Sequence, residues 1–239
     1  MHHWDSLVSR LTSQKLSERS VEYISGTLRR VLRHAHDRGI TDSPPPSGKK
    51  VGATAPTNNR RMRIITPEEK VLILNELKIS DLQAWRITLF AFLTGCRASE
   101  AFSLEWRNVT ANGINFENTK NSESRTIPMS TPLRELIASI ATGAPTEKVF
   151  TNAHMRTYKE APSPFRTAVS RLGLNEDRAR LDCISFHSIR HTVATELAKQ
   201  IDIRSLMDIM GWKVPAMALR YMHGDDSSKL RALENIQSL

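Results

Sequence analysis

Cysteine is nearly absent from this 239-residue chain. Only Cys96 and Cys183 occur, far apart in sequence, which excludes a disulfide framework and a cysteine-based zinc module. Both are read as reduced and buried. Long apolar runs are missing too. No stretch approaches the ~20 residues that cross a bilayer, and no secretory leader pattern is visible, so a cytoplasmic location is expected. No cluster of paired carboxylates suggests a two-metal centre. Acidic residues are in deficit: 25 Asp and Glu face 34 Lys and Arg, a net charge of +9. Such a surplus favours a polyanionic partner, because each neutralised phosphate releases counterions. By itself it does not separate a nucleic-acid binder from an ordinary basic protein.

Apolar periodicity supplies the organisation. Residues 1–44 read as two helices, one carrying Trp4, Leu7, Val8 and Leu11, the other Val21, Ile24, Leu28, Val31, Leu32 and Ala35. Ser17 is a candidate N-cap and Gly39 a candidate stop. Residues 45–60 are rich in Pro, Gly and Ser, and are read as a flexible basic linker. Arg29, Arg30 and Arg33 on the second helix, with Lys49, Lys50, Arg60 and Arg61 around the linker, are candidate phosphate contacts; a solvated polar face is the plainer alternative.

A second body covers 61–239. Thr66-Pro67-Glu68-Glu69 has the form of a capping box with proline at the first helical position. Further helices are expected over 81–93, 98–104, 131–140, 162–172, 187–200, 203–210 and 215–222, with a last one over 227–237. Between Trp106 and Met129 the pattern changes. Asn112-Gly113 signals a hairpin turn, and Val109, Ile114 with Phe116, and Thr126 to Met129 suggest a three-stranded antiparallel sheet. Residues 117–124 form the turn between its last two strands. The expected class is therefore mainly α with one small sheet.

Four local signals carry chemistry. Arg97 follows the Gly95 break at a helix start, where a guanidinium and free backbone N–H groups both favour an anion; an ion pair with Glu100 is the plainer reading. His187 and Arg190 are spaced to share a helical face. His187 with His191 could suggest zinc, but the glutamate of the usual motif and a third ligand are missing, so no metal is expected. Trp212 and Tyr221 would ordinarily be core aromatics. Lys120 in a hairpin turn would ordinarily be solubilising.

Taken in order, Arg97, Lys120, His187-x-x-Arg190, Trp212 and Tyr221 resemble the active-site signature of the tyrosine recombinase (phage integrase) family. The flanking words TGCRASEAFSLEW and LMDIMGW with RYMH match as well. The resemblance covers about residues 61–225. It implies the catalytic-domain fold of these DNA breaking and rejoining enzymes, double-stranded DNA as partner, a monomer when free, a homotetramer on DNA, and no cofactor. It assigns Tyr221 as nucleophile, forming a 3′-phosphotyrosine. Arg97 and Arg190 would bind the non-bridging oxygens, Lys120 would protonate the leaving 5′-oxygen, and His187 would assist proton transfer or hold the phosphate. Glu100 is read as structural. Leu230, Leu233, Ile236 and Leu239 would pack on a neighbouring subunit.

Two features depart from the family pattern. Trp212 stands where most members have histidine; an indole can donate one hydrogen bond but cannot shuttle a proton. Only two helices precede the linker, where the core-binding domain of the family usually has four or five. That leaves either a fragment or a reduced DNA clamp. A catalytically inactive relative that only binds DNA is the alternative reading, and a type IB topoisomerase would use similar chemistry without exchanging strands.

Overall fold

The computed structural model describes residues 2–53, 63–117 and 124–222. The chain divides into two compact units, residues 1–60 and 61–239. Arg60, Arg61 and Lys120 lie outside the described residues, as do the helix expected over 227–237 and the apolar residues assigned to it.

The first unit holds α1 (His2–Ser13) and α2 (Glu18–Asp37). Ser17 caps α2, its Oγ accepting from the Ser20 N–H. The apolar face expected along α2 is only partly covered. Val21 is buried, but Val31 is 60% exposed. A two-helix pair has too little partner surface to bury a whole helical stripe. Composition suggested a free spacer from residue 45 onward, but the first part of it is ordered. Lys49–Val51 form one 3-10 turn packed on α1, and Ala53 is buried. Arg30, Arg33, Lys49 and Lys50 are exposed. Arg29 is half-buried, with its guanidinium lying over Gly48.

The second unit contains α3 (Pro67–Ser80), α4 (Leu82–Thr94), α5 (Ala98–Ser103), β1 (Gly113–Phe116), β2 (Arg125–Pro128), α6 (Thr131–Ala138), α7 (Ser163–Arg171), α8 (Phe186–Ala198), α9 (Ile203–Met210) and α10 (Pro215–Ala218). The capping box opens α3 as expected: Thr66 Oγ1 accepts from the Glu69 N–H at 3.2 Å, and Glu69 Oε2 accepts from the Thr66 N–H at 2.9 Å. Helix α4 is apolar on nearly every side, and its position follows from that. It buries Ala84, Ile87, Phe90, Ala91 and Phe92 and packs on α3, α5, α6, α7 and α8. Phe90 meets Phe150 at 4.8 Å and Phe116 at 6.4 Å between ring centroids, joining α4 to the hairpin side. On its other side, Phe165 and Phe186 meet edge to face at 5.3 Å and lock α7 to the start of α8.

Three expectations need correction. The described sheet has two strands, not three: β1 and β2 pair antiparallel, with Ile114 opposite Ile127. Val109 makes only a single bridge to Ile114. The residues before it, Trp106–Asn108, are taken up by a 3-10 turn, and Thr110 and Gly113 close a tight turn after it. The helix expected over 215–222 stops at Ala218. Its end tightens, the Tyr221 N–H reaching back three residues to the Ala218 carbonyl, and the Tyr221 ring packs on Trp212 instead of continuing the helix. Of the two cysteines, Cys96 is buried but Cys183 is half-exposed; both are free. Among the described residues no helix is long and apolar enough to cross a membrane.

Asn112-Gly113 is a turn signal in sequence, and in the fold steric room is what requires the glycine. A Cβ there would fall 2.2 Å from the Ile127 carbonyl oxygen of β2. Gly113→Ala is therefore expected to lower stability by more than about 1 kcal/mol, read from the midpoint of urea unfolding.

Candidate active site

The site is built around the carboxyl end of α9. A helix end leaves carbonyls without partners, and its dipole makes them a weakly negative cluster. Here three consecutive carbonyls each receive a different arginine. Arg125 Nε donates to Ile209 O at 2.9 Å. Arg190 Nη2 donates to Met210 O. Arg97 Nη2 donates to Gly211 O at 3.3 Å. The three come from β2, α8 and the start of α5. Gly211 ends α9 with φ 62°, and a Cβ there would fall 2.8 Å from Arg125 Nη1. Conformation and space both demand glycine. Gly95 does the same at the end of α4. It too has φ 62°, and its carbonyl accepts from Arg190 Nη1 at 2.9 Å.

One buried carboxylate ties two of these arginines together. Glu100 accepts from Arg125 Nη1 at 2.9 Å and Nη2 at 2.7 Å, a forked pair. It also accepts from Arg97 Nη1 at 2.9 Å and from the Arg97 backbone N–H at 2.6 Å. Burial would raise its carboxyl, but Arg125 and then Arg97 more than offset this and hold it at about 2. Arg97 and Arg125 thus share one carboxylate while Arg190 bonds only carbonyls, so three guanidinium groups stand against a single negative charge and positive charge is in surplus. Arg97 keeps 35% of its side chain exposed, open to a ligand, whereas Arg190 is buried and Arg125 more enclosed still than Arg97. Desolvation and the neighbouring Arg97 lower the Arg190 guanidinium to about 10.

An aromatic chain leads from this cluster to the phenol. The Arg190 guanidinium carbon lies 5.6 Å from the centroid of Trp212, within cation–π range. Trp212 stacks on Tyr221 at 5.2 Å with 11° between the rings. On the Tyr221 side, the ring of His191 lies at 5.9 Å and 28°, and His191 Nδ1 shares a hydrogen bond of 2.5 Å with Tyr221 Oη. Burial raises the phenol's proton affinity, and Arg190 and Arg220 pull against that. His191 is pushed down to about 4, by burial first, then by His187 and Arg190. His187 stands exposed, edge to face with His191 at 4.7 Å. Partial desolvation, Arg190 and Arg97 lower its proton affinity as well.

Five of the six expected site residues are therefore described, and Arg97, Arg190, Trp212 and Tyr221 form one connected network with α9. His187 sits at its rim, and the phenol's hydrogen-bond partner is His191 rather than His187. The sequence reading missed Arg125. Its signal was the period of two: Arg125 shares a strand face with Ile127, which is buried. Among the described residues no group of three or more His, Cys, Asp or Glu gathers as a metal site. In the first unit, Arg29, Arg30 and Arg33 line one shallow groove with Arg19 and Tyr23.

Residues 63–228 match the model of the phage integrase family. The integrase of Escherichia phage 186 is 29% identical over 149 residues, which cover 60% of this chain and 40% of that protein. The catalytic domain of the Haemophilus phage HP1 integrase is 25% identical, with a TM-score of 0.57 over 72% of this chain and 94% of that one. Lambda integrase, seen as a dimer bound to a core site, is 20% identical with a TM-score of 0.71, covering 90% of this chain and 62% of that one. The fold is that of the tyrosine recombinase catalytic domain, and the chain belongs to the phage integrase family. It spans less than half the length of the curated relatives it matches.

The buried carboxylate gives a pH prediction. Glu100 titrates near 4.5 when free and at about 2 in the fold. A depressed carboxylate stabilises the fold fully above the free value and loses that contribution as pH falls toward the folded one. Glu100→Gln is expected to cost about 3 kcal/mol near neutrality and to flatten the fall in stability between those two pH values. Urea unfolding across an acid pH series measures both; an acid limb identical to the wild type would refute the assignment.

Proposed function

We propose that the chain is a site-specific DNA recombinase that cuts and rejoins double-stranded DNA through a covalent 3′-phosphate ester on Tyr221. The observation that carries this reading is the junction of two things at one helix end. Arginines with a positive surplus grip the carbonyls of residues 209–211, and a phenol stacked on the next residue, Trp212, stands beside them. Family membership supports the same chemistry.

In this reading the Tyr221 oxygen attacks the scissile phosphorus. The phosphodiester energy is kept in the new ester, so rejoining needs no nucleotide cofactor. Arg97 reaches the non-bridging oxygens with its exposed fork, and Arg190 with the donors its two carbonyls do not use. Their geometry is fixed before DNA arrives, which is what lowers the barrier to a charged transition state. Lys120 protonates the leaving 5′-oxygen, and His187, at the rim, holds the phosphate. Trp212 holds the phenol by stacking. Arg29, Arg30, Arg33, Lys49, Lys50, Arg60 and Arg61 contact the DNA backbone. The working form is a homotetramer on DNA and a monomer when free; the assembly on DNA is supported by lambda integrase, seen as a dimer on a core site and as a tetramer on a Holliday junction.

The test is a covalent adduct. The protein is mixed with nicked duplexes bearing a sequence it enriches from a random pool, then run on a denaturing gel. Wild type is expected to yield a protein–DNA adduct and Tyr221→Phe none. Arg190→Ala should lower the rate by about 10²–10³-fold. Tight binding with no adduct would make the chain a DNA-binding protein that has lost the reaction.

A further inference from the structure

Among the described residues, the phenol of Tyr221 has one hydrogen-bonding side chain against it, and it is not the histidine of the expected signature. His191 Nδ1 lies 2.5 Å from Tyr221 Oη. His191 sits on α8, the helix that also delivers Arg190, and α8 is anchored at both flanks. Ile189 enters the core beside α4, and Thr192 Oγ1 accepts from the Ile65 N–H at 2.8 Å. The imidazole is therefore presented to the phenol by a rigid element. Stacking on Trp212 holds the tyrosine ring at 5.2 Å, so the hydroxyl cannot swing away without breaking that stack.

We propose that His191 is the catalytic base of this site: it takes the proton of Tyr221 during strand cleavage and returns it during rejoining. The proposal rests on the recombinase reading and assigns within it the step expected of His187. In cleavage the Oη–P bond forms and the P–O5′ bond breaks. The phenolic proton moves to His191 Nδ1, and the departing 5′-oxygen takes a proton from an alkylammonium donor, the role given to Lys120. Rejoining reverses each transfer, so no proton or electron is left over.

The surroundings of His191 suit this work. Burial, His187 and Arg190 keep the imidazole neutral near pH 7, so a nitrogen lone pair is available to the phenol. Among the described residues, the groups facing it are Tyr221, from the turn after α10, and His187 and Arg190 on its own helix. Bound phosphate adds a negative charge beside the site, and that charge raises the proton affinity of imidazole at the moment a proton must be accepted. His187 has the opposite disposition. It is exposed and meets His191 by ring contact, which suits contact with DNA better than proton abstraction from a buried phenol.

Two measurements on the full chain test the proposal. The first needs no DNA. Nitrogen NMR of the imidazole in wild type and Tyr221→Phe is expected to show the His191 Nδ1 resonance shifted when the phenol oxygen is removed; an unmoved resonance overturns the contact and the proposal with it. The second is single-turnover adduct formation on the nicked duplex. His191→Ala is expected to slow it by about 10²–10⁴-fold, with DNA binding and melting temperature near wild type, and free imidazole should restore part of the rate. A variant as fast as wild type overturns the proposal. So does a slow, folded variant that imidazole does not rescue, which would assign His191 to packing. Wild type that binds DNA yet forms no adduct would defeat the recombinase reading instead, while the NMR result still judges the histidine–phenol pair.

Discussion

The end of one short helix governs the rest of the site. Three successive carbonyls at the end of α9 would be unsatisfied in a bare helix, and each is bound by an arginine from a different part of the chain. The helix dipole draws the positive groups in, and the groups in turn fix where the helix stops. Buried guanidinium groups without an anion would be costly. Glu100 offsets part of that cost internally with four hydrogen bonds and leaves the remaining charge for a ligand. The same cluster thus serves structural stability and, in the proposed reading, the binding of the scissile phosphate.

This arrangement also explains why the phenol is where it is. The residue after the third gripped carbonyl is Trp212, and Tyr221 lies flat against it. A histidine in that place would offer a second titrating ring. The indole offers a larger plate, held from behind by Arg190 at 5.6 Å. In the proposed reading, proton abstraction from the phenol falls to His191 on α8, and stacking to Trp212 in the loop after α9.

Much of this was readable in the sequence, for physical reasons. Helical periods and the Thr66 capping box located α3 and α4 closely, because local propensity and burial agree there. The ordered set Arg97, Lys120, His187, Arg190, Trp212 and Tyr221 was legible only through its resemblance to the tyrosine recombinase signature, although Gly95 and Gly211 do mark the helix ends beside Arg97 and Trp212. What escaped was tertiary. Arg125 looks like any polar strand residue until its partner Glu100 is known to be buried. His191 drew notice only as a possible metal ligand four residues from His187, since nothing local says that a phenol thirty residues on will reach it. The third strand failed because Val109 pairs at a single residue, and the α2 stripe over-promised because periodicity reports a face without reporting what covers it.

The triple grip on residues 209–211 has a consequence for how such a chain can change over generations. Substitutions on the outer face of α9 leave the three contacts intact, and the segment between α6 and α7 can vary in length without touching them. A residue inserted or deleted within 209–211 would put the arginines out of step with their carbonyls, and one between Trp212 and Tyr221 would leave that grip in register but carry the phenol off the indole face. The geometry therefore constrains the spacing of this stretch as a block, and the distance from the last turn of α9 to the tyrosine acts as a fixed gauge.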